Sequence, residues 1–249
     1  SVPCAEMENI VLKRLWRDML NADGAFDKDG AGNDIKPSQE QLPVYTTAYA
    51  EDSSGMTAEP LHVYLTQGEH TLTIESVREK LLLKSVRLGD YKQPMSYEDY
   101  LKAHPGAPVQ TDPLTIEAEK PYLKSDISLY PINDKLSAST SPQSPSALLL
   151  NTIGSTKWQQ AGQWITWRVE VPETGYYRID LRARQNIKSG VFSSRSMLIN
   201  GEIPFAEAAD IRFNYNENFT YIPLGDGEQV FGQALRLLAE HQIAAVRIV

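Results

Sequence analysis

Gly162–Arg184, GQWITWRVEVPETGYYRIDLRAR, is the stretch from which the fold is read. Ile165, Trp167, Val169 and Val171 alternate with Trp164, Thr166, Arg168 and Glu170, the period of two expected of a strand with one buried face. Trp167 falls on the inward set and Trp164 on the outward one. Pro172-Glu173-Thr174-Gly175 breaks the strand, because Pro cannot donate to a ladder and Gly tolerates positive φ. Tyr177, Ile179, Leu181 and Ala183 then alternate with Tyr176, Arg178, Asp180, Arg182 and Arg184. The stretch therefore predicts a β-hairpin whose apolar faces need a covering layer.

Similar logic extends along the chain. Ser196–Phe205 predicts a second hairpin with Asn200-Gly201 as its type I′ turn. Leu61, Val63 and Leu65 alternate, Gln67-Gly68-Glu69 turns, and Leu72 and Ile74 resume the pattern before an apolar run at Leu81–Val86, so Pro60–Leu88 predicts antiparallel strands. Laid on Leu235–Ile248 without a gap, Leu61–Ile74 matches at apolar positions, which suggests an internal repeat. Glu8–Leu20 suits a short amphipathic helix or a strand, and strand is the reading adopted. Asp23–Asp34 reads as a solvated turn, since the EF-hand spacing fails: counting from Asp27, Ala31 stands fifth and Ser38 twelfth.

Ser96-x-x-Asp99 is a capping-box pattern ahead of Tyr97, Tyr100 and Leu101 at helical spacing, with a stop at Pro105-Gly106. It predicts a short linker helix with its tyrosines packed against a module. Ser137–Ser146, rich in Ser and Pro, predicts a surface loop.

Composition bounds the function. A chain of 249 residues, 41% hydrophobic and 22% charged, has the make-up of a globular protein of one large or two ordinary domains. Its formal net charge of -8 and lack of a Lys/Arg cluster argue against a nucleic-acid partner. Apolar runs such as Ala147–Leu150 are too short to cross a bilayer, so no membrane insertion is expected. A single cysteine, Cys4, excludes an intrachain disulfide and any multi-thiolate metal site. His62, His70, His104 and His241 are scattered, with no H-E-x-x-H or G-x-S-x-G spacing, and no enzyme activity is expected.

The segment Ile116-Glu117-Ala118-Glu119, the W-x-x-x-G-Q-x-I-x-W pattern of Trp158–Trp167, VPETGYY at Val171–Tyr177 and the later Asn-Gly turn together resemble the galactose-binding-like β-sandwich. The nearest group is the carbohydrate-binding modules of families six and thirty-five. The likeness runs over Asp112–Val249. VYLTQGEHTLTIESV at Val63–Val77 is similar to the closing strands of the same sandwich. SVREKLLLKSVRL and YEDYLKAHPG resemble tandem modules in the N-terminal regions of bacterial extracellular solute-binding proteins of sugar transport.

The resemblance implies an all-β protein, an antiparallel jelly-roll sandwich in two modules: residues 1–92, a helical linker over 93–111, and residues 112–249. It implies a non-catalytic, oligo- or polysaccharide-binding part of a larger bacterial cell-surface or secreted protein, joined to further domains of the same polypeptide. The alternatives are a structural or protein-interaction module without a ligand, and an accessory part of a glycan-degrading enzyme. Glu117 and Glu119, two apart on a predicted strand, would share a face and help hold a structural Ca²⁺. A sugar face needs flat aromatic surface beside amides, carboxylates or guanidinium groups. Trp158, Arg184, Asn186, Tyr215 and Asn218, in or next to predicted loops, are the candidates to supply it.

Overall fold

The computed structural model describes residues 4–50, 61–75, 82–90, 93–105, 113–137, 140–187, 189–224, 235–237 and 243–249. Leu81, Gly106, Ala138-Ser139 and Glu240-His241-Gln242, each part of a reading above, lie outside them. Among the described residues there are strands in antiparallel pairs and one α-helix, so the fold is all-β. The chain divides into two compact units, Ser1–Leu15 with Gln41–Gln93, and Trp16–Glu40 with Pro94–Val249. Residues 16–40 thus belong with the second unit rather than the first.

The organising strand of the first unit is β1 (Cys4–Asp18) up to Leu15, its last three residues belonging to the second unit, and the strand reading of Glu8–Leu20 expects it. β2 (Gln39–Tyr49) lies beside it, and β3 (His62–Tyr64) and β4 (Leu83–Asp90) both pair with it antiparallel. The β1–β4 register shifts between Ile10 and Val11. β3 and β4 are therefore partners of β1, not of one another. Leu72–Ile74 carries no strand, although the alternation predicts one. The suggested repeat fails at that point, because its counterpart Val246–Ile248 lies in the longest strand of the C-terminal region.

The second unit is built on a sheet ordered β12 (Met197–Ile199), β16 (Ile243–Ile248), β8 (Ile165–Glu170), β5 (Leu123–Lys124), with Trp16 of β1 opposite Lys124. Register puts Met197, Ile248, Ile165 and Lys124 in one row on one face. All four are buried. The next row, Ile199, Val246 and Trp167, continues that face into the core. Four further pairs complete the strands: β6 (Pro131–Ile132) with β7 (Thr152–Ile153), β9 (Gly175–Tyr177) with β15 (Leu235–Leu237), β10 (Asp180–Ala183) with β14 (Thr220–Pro223), and β11 (Ser193–Arg195) with β13 (Ile211–Phe213).

The strands of Gly162–Arg184 are present, but they do not form a hairpin. β8 pairs with β5 and β16, whereas β9 pairs with β15 and β10 with β14. Pro172–Thr174 is therefore a crossing between two paired sets. Alternation shows that each strand has a buried face, but it carries no information about which strand lies alongside. Val169, Val171, Tyr176 and Tyr177 all enter one apolar cluster, so the crossing folds the stretch around a common core. Trp164, on the outward set, is nonetheless buried, with the Arg247 guanidinium 3.9 Å from its ring centroid. Trp167 sits at the core's edge and donates from Nε1 to the Ala118 carbonyl.

Helix α1 (Tyr97–Ala103) starts as the sequence dictates: Ser96 Oγ accepts the Asp99 amide at 3.1 Å. It packs within the second unit, with its tyrosines against the core as expected. Tyr97 and Tyr100 are buried, with ring centroids 5.0 and 5.5 Å from that of Phe205, which has no exposed surface. The Tyr97 amide donates to Glu207, and Tyr176 Oη donates to the His104 carbonyl. Asn200 and Gly201 have φ of 52° and 92°, the two positive values that a type I′ turn needs. Ile199 and Glu202 close it with reciprocal backbone bonds of 2.8 and 3.1 Å. Beyond that bridge the chain enters a 3-10 turn at Ala206–Ala209 instead of a return strand.

Candidate functional site

The Ser/Pro-rich loop is on the surface at residues 141–143, 145 and 146, which are exposed, and residues at its two ends border a cleft. Asn133, Asp134, Lys135 and Leu136, following β6, face Gln143, Ser144, Ala147 and Asn151, preceding β7, across a cleft of about 440 Å³. That volume lies in the range of small-molecule sites. The β6–β7 pairing holds the two ends of the loop together, and Asn151 fastens its middle. Asn151 Oδ1 accepts the Asp134 amide at 2.8 Å, while Nδ2 donates to the Asp134 and Pro142 carbonyls. The Ser141-Pro142 peptide is cis. Gln143 donates from Nε2 to the Ser137 carbonyl, leaving its Oε1 as an acceptor beside the cleft.

Asp134 connects the cleft to a second loop. Its Oδ1 accepts the Leu136 amide at 2.8 Å, and its Oδ2 accepts from Arg184 Nη2. Both side chains of this ion pair are about nine-tenths buried, at 10% and 11% exposure. The Arg184 guanidinium lies 4.6 Å from the centroid of Phe219. Arg184 leaves β10 and Phe219 precedes β14, and these strands pair with Ala183 opposite Thr220, which brings the two loops side by side. The Asn216 amide closes that junction by donating to the Gln185 carbonyl at 2.8 Å.

This geometry partly gathers the residues singled out from sequence. Arg184 sits behind the cleft and holds its carboxylate, so its contact with a ligand is indirect. Asn186 and Asn218 are exposed on the two adjoining loops. Tyr215 is half-buried and donates to Glu217; burial and the neighbouring Glu217 charge raise its phenol above the usual value. Trp158 is elsewhere. It packs against the core, donates from Nε1 to the Gln163 carbonyl at 3.0 Å, and lies under Arg195 at 5.0 Å. A β-carbon on Gly154, at φ 111°, would stand 3.5 Å from its ring. One side of its ring is thus covered by the Arg195 guanidinium.

The paired glutamates are split. Residues 113–117 form no strand and Ala118–Glu119 is a turn, with the Lys120 amide donating to the Glu117 carbonyl. Glu117 is exposed and Glu119 is 3% exposed, so they share no face. Among the described residues no three His, Cys, Asp or Glu gather as a metal-holding group. Asp23–Asp34 closes on itself: Asp29 Oδ2 accepts from Asn33 Nδ2 and its Oδ1 accepts the Asn33 and Ala31 amides, and these bonds hold its carboxyl below the usual range.

Glu119 has a different consequence. Desolvation raises its pKa from 4.5 to about 7, with the Glu117 and Asp34 charges adding to the shift. Its ionisation is thus opposed in the folded state. As pH rises from 4.5 to about 7, the unfolded chain loses that proton while the folded chain keeps it, so stability falls across this window. Glu119→Gln is expected to stabilise the protein by about 3 kcal/mol at pH 8, and to change little at pH 4. Urea unfolding of both proteins at the two pH values checks this, and an equal difference at both would contradict it.

The residues that line the cleft, Asn133, Asp134, Gln143, Ser144 and Asn151, were not singled out from sequence. Their signal was an excess of short amides and hydroxyls in a Pro-containing loop, which also describes an ordinary solvated loop. No protein-family model, no curated protein and no solved structure matches this chain.

Proposed function

We propose that the second unit is a non-catalytic carbohydrate-binding module, with the Asn133–Asn151 cleft as its binding site. The observation that carries this reading is the lining itself. Amide, carboxylate, hydroxyl and ammonium groups converge on a concavity of about 440 Å³, bordered by the aliphatic Leu136 and Ala147. Such a mixture suits a hydroxyl-rich ring with small apolar patches. Both oxygens of Asp134 are engaged, by Leu136 and Arg184, which holds the carboxylate in one orientation at the cleft. Binding is reversible and leaves the sugar unchanged. Under this reading the antiparallel sheets are layers of a galactose-binding-like sandwich, and the chain is part of a larger bacterial cell-surface or secreted protein that captures glycans for transport or degradation.

Affinity electrophoresis and pull-down against soluble and insoluble polysaccharides test it. The reading predicts retention by at least one glycan, persistence of that retention in EDTA, and its loss on Asn151→Ala or Gln143→Ala. A folded protein retained by none contradicts it. That outcome favours the second reading, an interaction module, for which the first unit offers the exposed apolar side chains of Leu61, Val63, Tyr64, Leu83, Val86 and Leu88.

A further inference from the structure

Lys124 and Asp18 form a buried pair that the cleft does not use. Lys124 has no exposed surface and the Asp18 side chain is 1% exposed, with Nζ in contact with Oδ1. Asp18 ends β1 and Lys124 lies in β5, 106 residues further along the chain. The same Oδ1 accepts Gln39 Nε2 at 3.2 Å, whereas the buried Oδ2 has no hydrogen-bond partner among the described residues. An ion pair sealed from water is favourable only when its remaining lone pairs are satisfied, and here one oxygen is left over. Moving one proton from the ammonium to the carboxylate removes both charges. Burial pushes Lys124 toward its neutral amine, although the Asp18 charge opposes that.

In its neutral form such a pair, an amine against a carboxylic acid in a buried site, would set a nucleophile beside an electrophile. We propose that Lys124 Nζ and Asp18 Cγ condense to an intramolecular amide that ties β1 to β5. The Nζ lone pair attacks Cγ, and the charge developing on Oδ1 is met by the N–H of Gln39. The Cγ–Oδ2 bond then breaks. Oδ2 departs as water, carrying its own proton and one from Nζ, so the step consumes no oxidant, reductant or co-reactant. The product keeps Oδ1 as a neutral carbonyl acceptor for Gln39 and removes the unpartnered Oδ2.

Intact-mass measurement of the folded protein tests this directly. The expected mass is that of the sequence less one water, and proteolysis should release a branched peptide joining the Asp18 and Lys124 segments. Asp18→Ala and Lys124→Arg should each show their full sequence mass. Asp18→Asn should instead lose ammonia and give the wild-type product, and Gln39→Ala should lower the linked fraction at a given time after synthesis. A wild-type chain at full sequence mass overturns the proposal and leaves a plain ion pair. A mass deficit of one water without the branched peptide overturns it equally, since the water was then lost elsewhere.

Discussion

Phe205→Ala is expected to destabilise the second unit by about 3–5 kcal/mol, the range for removing a fully buried aromatic ring. Phe205 has no exposed surface, and both buried tyrosines of α1 lean on its ring at 5.0 and 5.5 Å. Truncation leaves a void bordered by Tyr97, Tyr100 and the Ala208 turn, and the helix cannot simply settle into it. Its N-terminus is fixed by Glu207 on the Tyr97 amide, and the Ala206 amide is held by the Met95 carbonyl at 2.8 Å. Thermal melting followed by near-ultraviolet circular dichroism reads both the midpoint and the tyrosine packing. A fall of less than about 1 kcal/mol would mean that α1 is not part of this core.

Arg184→Ala carries the second large effect, because it strips the countercharge from an Asp134 that is nine-tenths buried. Leaving such a carboxylate unpaired costs about 1–3 kcal/mol of stability, and the side chain is free to turn away from the Leu136 amide. On the proposed function, glycan binding should weaken at least about tenfold, equivalent to 1.4 kcal/mol. Arg184→Lys keeps the charge but lacks the planar fork and the stacking on Phe219, so it should recover stability only in part. Parallel titrations and melts separate the two effects. Unchanged affinity in Arg184→Ala would remove Asp134 from the binding site.

These two positions also show what the sequence could and could not tell. Features set by neighbours along the chain were legible: the Ser96 cap, the strand character of Glu8–Asp18, and the Asn200-Gly201 turn with its two positive φ values. Each depends on a few consecutive residues. Pairing was not legible, because β8 and β9 carry the same alternation whether they meet each other or, as here, separate partners. Ile116–Glu119 is a strand only by the family resemblance, whereas the chain turns at residues 118–119 and buries Glu119. The ion pairs Asp134–Arg184 and Asp18–Lys124 join residues 50 and 106 positions apart, and no local pattern marks them. Trp158 was singled out for its flat ring, a property that serves a core as well as a sugar; Arg195 and Gly154 already flank it.

On the proposed function, a glycan binds in the Asn133–Asn151 cleft. Amide chemical-shift perturbation, on adding an oligosaccharide from the polysaccharide that retains the protein, tests it most directly. Shifts are expected to concentrate at residues 133–136, 143, 144, 146, 147 and 151, with smaller ones at Arg184 and Gln185 through the Asp134 contact. Shifts centred on Trp158 or on the first unit, with the cleft amides unmoved, would contradict it.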